Sequence, residues 1–118
     1  MIESLYQRRS AVATSLLLAF IALAPVHAQQ PEGARLAESA RCYMCHQMSE
    51  SLLAPPYLAI AARHTQRADV MVNVLARKIV DGGGGNWGVV PMAPNQGVSL
   101  EDARIMAEWI LSLAPQTP

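Results

Sequence analysis

Two cysteines and a histidine within five residues constrain this chain more than any other feature of its sequence. Cys42, Cys45 and His46 form a C-x-x-C-H pattern, and the chain contains no other cysteine. On a helical turn, residues three apart point to the same side, so both thiols can react with one group while His46 follows directly after them. The chain has 118 residues, enough for one domain, and only 5% of them are aromatic. Such a domain is expected to need a disulfide, a metal, a cofactor or a partner to stabilise its core.

The C-x-x-C-H pattern is typical of covalent haem attachment, in which two thiols add to the vinyl groups of one porphyrin. Three other interpretations use the same residues. A thioredoxin-like redox site would precede a helix in a βαβ unit, and a zinc site would need two further Cys or His ligands. A disulfide would simply join Cys42 to Cys45. Because the motif closes a predicted helix, and because the only other histidine after residue 28 is His64, haem attachment is the favoured hypothesis.

Residues 1–28 have the pattern of a secretory signal peptide. Two arginines precede an apolar run over residues 11–24, and small residues at 26 and 28 mark a cleavage site. The run is shorter than the ~20 residues that a membrane-spanning helix requires, which favours cleavage over a permanent anchor. The prediction is a domain at 29–118 that is exported to the periplasm, an oxidising compartment.

The charge balance excludes some classes of partner. Nine Lys and Arg residues balance nine Asp and Glu residues, so the formal net charge is zero. A neutral chain lacks the basic surface with which proteins bind nucleic acid or anionic membranes. Nucleic acid is therefore not an expected partner, and no transmembrane anchor is expected after cleavage.

Turn-forming residues divide the remainder into four predicted helical segments, so the predicted fold class is all-α. The segments cover residues 32–46, 56–62, about 69–81, and a last helix that follows Ser99 and ends at Pro115. Apolar residues recur at helical spacing in the third and fourth segments. Gly82 is expected to stop the third helix, and Ser99 with Asp102 has the spacing of a capping box.

One histidine leaves the opposite side of a haem iron to be filled. Two methionines lie too near His46 in sequence to reach that side, and two others lie in predicted amphipathic helices, where methionine usually fills a core. Met92 lies far along the chain in the proline-stiffened segment 90–95, and it is the favoured second ligand. His64 and an open coordination site are the alternatives.

Taken together, these residues resemble the short, single-haem class I cytochromes c of bacterial respiratory chains. The resemblance extends from about residue 36 to residue 113. It is carried by the C-x-x-C-H motif, Pro55-Pro56-Tyr57, Asn86-Trp87-Gly88, Pro91-Met92-Ala93-Pro94-Asn95, and Trp109. It implies a class I cytochrome c fold, about four helices wrapped around one covalently bound haem c.

The resemblance implies roles for the residues of the motif and the loop. Cys42 and Cys45 would form thioethers to the haem. His46 and Met92 would be its axial iron ligands.

Four further residues would support these groups. By the resemblance, the Pro55 carbonyl would accept the other ring N–H of the histidine, and Asn95 would touch the methionine sulfur. Lys78 and Trp87 would contact a haem propionate, placing a positive charge and an N–H donor beside its carboxylate.

Two positions depart from the family pattern. The first helix of relatives usually carries an aromatic residue, whereas this chain has Leu36-Ala37. Trp109 is therefore expected to pack on Leu36 or Ala37. The residue before Pro55 is Ala54, where relatives commonly have glycine, so the backbone turn there is expected to differ.

The implied function is one-electron transfer. An iron held by His46 and Met92 has both axial positions filled and leaves no site for a substrate, so the protein is predicted not to be an enzyme. The favoured hypothesis is a periplasmic carrier, a monomer or weak dimer, between respiratory complexes and a terminal oxidase or reductase. The alternatives are a tightly bound haem c subunit of a periplasmic dehydrogenase, and a haem enzyme or gas sensor with a labile methionine ligand.

Overall fold

The computed structural model describes residues 28–114, which contain four α-helices. Nearly all of the predicted signal peptide lies outside the described residues. Pro115, the predicted end of the last helix, also lies outside them. The helices are α1 (Glu32–Ser39), α2 (Tyr57–His64), α3 (Ala68–Asp81) and α4 (Leu100–Ser112), with 3-10 turns at Cys42–Met44 and Thr65–Arg67. Within this part of the chain the only β-type pairing is an isolated bridge between Gly83 and Met92, so the all-α prediction is confirmed. No helix among residues 28–114 is long and apolar enough to span a membrane.

The first helix ends at Ser39, so the prediction of a helix through His46 was wrong. Arg41 is the only non-glycine residue of the described chain with a positive φ, at 60°. This left-handed conformation interrupts a right-handed helix, and it costs a non-glycine residue about 1–2 kcal/mol. Glycine normally occupies such a position and would have marked the helix end in the sequence. The cysteines therefore lie on a separate 3-10 turn beyond α1.

Helix α4 lies at the centre of the fold and packs against the other three helices. The core that they enclose has little apolar volume, because nearly half of its buried residues are alanines. These alanines are distributed over all four helices and the residue after α4's C-cap: Ala34, Ala37, Ala61, Ala76, Ala103, Ala107 and Ala114. Small side chains let the helix backbones approach closely but provide little hydrophobic burial of their own.

The crossing of α1 over α4 is centred on Gly33 and Trp109. A Cβ atom placed on Gly33 would lie 2.3 Å from the Trp109 Cβ and 2.7 Å from the Ile105 carbonyl oxygen. The sequence predicted Leu36 or Ala37 as the contact of Trp109. Ala37 belongs to the same core cluster as Trp109 and Leu36 packs against that cluster, while the tight approach to Trp109 is one turn earlier in α1. Glycine makes it possible, because any side chain at position 33 would overlap the tryptophan.

Helix α4 begins at the predicted cap. The Ser99 hydroxyl oxygen accepts a hydrogen bond from the Asp102 backbone N–H at 3.0 Å, which satisfies one of the unpaired amides of the first turn. The same hydroxyl donates to the Asp102 carboxylate at 2.8 Å. The Asp102 side chain thus bonds to the serine hydroxyl, because it is shorter than the glutamate that usually completes a capping box.

Replacing Gly33→Ala is expected to lower the free energy of unfolding by about 1–3 kcal/mol, because the added methyl group overfills the α1–α4 crossing. Gly97→Ala is the matched control, since a Cβ there meets no atom within 4 Å. Denaturant unfolding of both variants measures the difference. Equal midpoints for the two variants would contradict the assigned crossing.

Candidate functional site

The cysteine turn holds its three chemical groups on one short stretch of backbone. Within the 3-10 turn Cys42–Met44, the Cys42 carbonyl accepts hydrogen bonds from the N–H groups of Cys45, at 3.1 Å, and His46, at 2.9 Å. Cys42 is half-buried and Cys45 is exposed, and both are free thiols. Burial raises the pKa of the Cys42 thiol, so its sulfur is protonated near neutral pH. The two sulfurs are not joined, so both are available to react with a third group.

His46 is held in one tautomer by the residue that precedes α2. Its Nδ1 lies 2.7 Å from the Pro55 carbonyl oxygen. A carbonyl can only accept a hydrogen bond, so Nδ1 carries the hydrogen, and in the neutral ring the lone pair of Nε2 is free to bind a metal. The local structure therefore leaves Nε2 as the ring nitrogen of His46 that is available to other groups.

The backbone after His46 docks on the start of α2. The N–H groups of Tyr57 and Leu58, which have no partner within the helix, donate to the carbonyls of Gln47 at 3.0 Å and Met48 at 3.1 Å. Pro56, immediately before the helix, has no N–H and an extended backbone. These bonds fix the distance between the cysteine turn and α2 and so keep the Pro55 carbonyl within reach of the histidine.

Tyr57 connects His46 to the core of the protein. Its ring stacks on His46 with centroids 5.6 Å apart and planes 21° apart, and it meets Trp109 edge-on at 5.0 Å. A second edge-on contact, at 5.4 Å, joins it to Tyr43 within the cysteine turn. Its hydroxyl oxygen is buried without a hydrogen-bond partner, and burial raises the pKa of Tyr57 well above its ordinary value. The position of the histidine ring therefore depends on the packing of α2 against α4.

Met92 is attached through its backbone to the end of α3. Gly83 and Met92 exchange two backbone hydrogen bonds, of 2.9 and 2.8 Å, and the intervening residues form a closed loop. Gly82 has a φ of 71°, and a Cβ there would lie 2.4 Å from the Met92 carbonyl oxygen. Gly82 therefore does more than stop α3, because its missing side chain lets the methionine segment lie directly against the helix end. The Met92 side chain is partly buried.

Asn95 bonds to the end of α3. Its side-chain nitrogen donates to the Ile79 carbonyl at 2.7 Å, and its backbone N–H donates to the Val80 carbonyl at 2.9 Å. Carbonyls in the last turn of a helix lack partners within the helix, so they attract these donors. Asn95 therefore anchors the segment that follows Met92.

Lys78 and Trp87 border the same glycine-rich loop. The Lys78 ammonium nitrogen lies 3.0 Å from the position that a Cβ on Gly83 would occupy. Trp87 is 43% exposed, and the Arg63 guanidinium lies 4.6 Å from the centre of its ring. Sequence analysis missed Arg63, because a single arginine on an exposed helix face forms no motif with residues distant in the chain.

His64 was the alternative to Met92 as an iron ligand. It lies at the end of α2, and its pKa is lowered by burial and by the neighbouring charges of Arg63 and Arg67.

The zinc interpretation of the cysteine motif gains no support from the structure. Among residues 28–114, no group of three or more His, Cys, Asp or Glu side chains comes together as a metal site. A zinc site built from such ligands is therefore absent from the described part of the chain.

Comparison with known proteins identifies the family. The cytochrome c family model matches residues 31–114. The chain belongs to the cytochrome c family. Cytochrome c-552 of Nitrosomonas europaea is 41% identical to it over 80 residues, which cover 68% of this chain and 77% of that protein. Cytochrome c-552 of Hydrogenobacter thermophilus is 38% identical over 98 residues, covering 83% of this chain and 95% of the relative.

The fold of this cytochrome c is also similar to a solved structure. The crystal structure of wild-type Nitrosomonas europaea cytochrome c552 matches it with a TM-score of 0.65 and 41% identity, covering 68% of this chain and 98% of that one. The predictions of a small class I cytochrome c and of a covalently attached haem c are thus confirmed. The donor set fits this cofactor, because two free thiols and an imidazole with a free Nε2 lie on one turn. Electron transfer is the general function that the family implies.

Replacing Gly82→Ala is expected to lower the free energy of unfolding by about 2–4 kcal/mol, from backbone strain together with overlap with the Met92 carbonyl. Gly85→Ala is the control, because Gly85 also has a positive φ, of 85°, but a Cβ there meets no atom within 4 Å. That control should lose only the strain energy, about 1 kcal/mol. Denaturant unfolding of the holoprotein distinguishes the two, and equal losses would contradict the close approach at Gly82.

Proposed function

We propose that this cytochrome c is a periplasmic one-electron carrier that moves electrons between respiratory complexes and a terminal oxidase or reductase. The observation that carries the proposal is the 2.7 Å hydrogen bond from His46 Nδ1 to the Pro55 carbonyl, beside two free thiols. It leaves Nε2 of the imidazole to bind iron, next to the turn that provides both attachment points. When bound, haem c supplies an iron that exchanges one electron between its ferrous and ferric states.

Cys42 and Cys45 are proposed to hold the cofactor covalently through two thioethers. Their spacing of three residues on a tight turn directs both sulfurs to one side, and neither thiol is used in a disulfide. Attachment at two points on this turn also holds His46 against the cofactor, since the imidazole is bonded to the backbone on one side and stacked on Tyr57.

His46 and Met92 are proposed as the two axial ligands. The pairing of Met92 with Gly83 and the anchoring of Asn95 on α3 limit how far the thioether can move. A thioether ligand raises the potential of haem iron relative to a second imidazole. With His46 and Met92 both bound to it, the iron would have no open position for a substrate, which supports a carrier in preference to an enzyme.

Lys78 and Trp87 are proposed to face a carboxylate of the cofactor. A lysine ammonium and an indole N–H are the donors expected beside a propionate, which would otherwise be desolvated without a partner. Both residues border the loop that leads to Met92, and this common location supports a shared role.

Redox partners are proposed to dock beside the cysteine turn. Exposed apolar side chains follow this turn, with exposed fractions of 39% for Met48, 62% for Leu52 and 64% for Leu53. An apolar surface of this kind, on a chain without net charge, suits short-lived contact with several partners. We propose that the carrier meets these partners as a monomer.

Export through a signal peptide at residues 1–28 is proposed to deliver this domain to the periplasm. The apolar run with an arginine pair before it and small residues after it supports this location. Export would also provide an oxidising compartment for the two thiols.

Replacing both cysteines, Cys42→Ala with Cys45→Ala, is expected to abolish covalent haem attachment. It is also expected to remove most of the free energy of unfolding, which totals about 5–15 kcal/mol in a typical domain. The physical reason is the alanine-rich core, which buries little apolar surface without the cofactor. Mass spectrometry and thermal unfolding of the exported protein measure both effects. Met44→Ala is the control, because this side chain lies in the same turn but is 68% exposed. A compact double variant that unfolds cooperatively without haem would contradict the prediction.

Replacing Met92→Ala is expected to keep haem bound covalently while lowering the reduction potential and letting carbon monoxide bind the ferrous protein. The thioether-to-iron charge-transfer band of the ferric protein should disappear. Redox titration and visible spectroscopy measure these changes, with Met48→Ala as the matched control on the proposed docking surface. An unchanged potential would reject Met92 as the ligand, and rapid carbon monoxide binding to the wild type would instead favour a sensor or an enzyme.

A further inference from the structure

The glycine-rich loop at residues 83–91, which leads to Met92 and is called the ligand loop below, has few contacts that hold its tip in place. Residues 83–91 are all exposed, and four of the nine are glycines, three of which have a positive φ. The two ends of this loop are fixed by the Gly83–Met92 bridge. Backbone freedom of this kind means that the position of Trp87 needs a contact from outside the loop.

Arg63 of α2 makes that contact with two consecutive residues. Its Nη1 donates to the Asn86 carbonyl at 2.9 Å, and its guanidinium carbon lies 4.6 Å from the centre of the Trp87 ring. A planar guanidinium can stack on an aromatic face while an N–H at its edge donates a hydrogen bond, which a lysine ammonium cannot do in the same way. One side chain therefore fixes both the backbone before Trp87 and the face of the indole.

The charge on Arg63 is not neutralised by a neighbouring acid. No carboxylate of residues 28–114 forms a salt bridge with it, since the one such pair in this part of the chain joins Arg35 to Glu32. Tryptophan is the aromatic residue that attracts cations most strongly. A cation on the ring face draws electron density from the indole, which makes its N–H a stronger hydrogen-bond donor.

We propose that Arg63 is a positioning residue for Trp87. It holds the tip of the ligand loop against α2, sets the plane of the indole and strengthens its N–H as a donor. The consequence for electron transfer rests on the proposed function, in which Trp87 donates to a carboxylate of the cofactor. The contact with the loop itself does not depend on that function, and the two can be tested separately.

The test uses the ferrous holoprotein and three variants. Arg63→Gln removes the charge and the planar fork, and Arg63→Lys keeps the charge without the fork. Arg67→Gln is the control, an exposed arginine in the 3-10 turn that follows α2. Nitrogen-15 NMR reports the indole N–H of Trp87, and the buried indole of Trp109 in the same spectrum is an internal reference.

In Arg63→Gln we expect the Trp87 indole signal to shift, its heteronuclear NOE to fall, and its exchange with solvent to become at least about fivefold faster. The Trp109 signal should not change. Arg63→Lys should lie between the wild type and Arg63→Gln in indole order, and Arg67→Gln should match the wild type. The reduction potential should fall in Arg63→Gln, because a positive charge that disfavours the ferric state is lost.

Three results would overturn the proposal. An unchanged Trp87 signal in Arg63→Gln would show that the arginine does not position the indole. A lower potential without any change in that signal would assign a purely electrostatic effect, and an equal response in Arg67→Gln would show that the site of the charge is irrelevant. Trp87→Phe tests the separate hypothesis that Trp87 donates to a carboxylate of the cofactor. An unchanged potential in that variant would reject this role without contradicting the contact between Arg63 and the loop.

Discussion

The hydrogen bond between His46 Nδ1 and the Pro55 carbonyl joins the two parts of the chain that the candidate site needs most. It fixes the tautomer of the histidine, and it holds the cysteine turn at the start of α2. The same junction is supported by the amides of Tyr57 and Leu58, which donate to the backbone that follows the histidine. Through the ring of Tyr57, this junction is continuous with Trp109 and the core.

Close backbone approach builds two other parts of the fold. Glycines at the α1–α4 crossing and at the end of α3 bring main chains together where any side chain would overlap. Together with the alanines of the core, they produce tightly approaching helices that bury little apolar surface. A covalently attached haem c is the natural complement to such a core, because it supplies the large apolar group that the side chains lack.

The sequence predicted the all-α class, α3 with its stop at Gly82, the cap of α4 at Ser99 and the residues of the cysteine motif, since each of these depends on local chemistry. It failed where an unusual residue occupied a special position. Arg41 takes a left-handed conformation normally adopted by glycine, so the end of α1 was not visible in the sequence. The contact of Trp109 with Gly33 and that of Asn95 with Ile79 were also missed, because both join residues that are distant in the chain.

By itself, the sequence determined which groups the cofactor would meet, because two thiols and an imidazole within five residues stay close together however the rest of the chain folds. Only the tertiary structure decided which carbonyl orients the histidine, which helix end carries the Met92 segment, and that Arg63 covers the Trp87 ring. The residues that meet in these contacts lie between nine positions apart, for His46 and Pro55, and twenty-four positions apart, for Arg63 and Trp87. Contacts over such separations are set by the packing of α2, α3 and α4, which no short pattern of residues records.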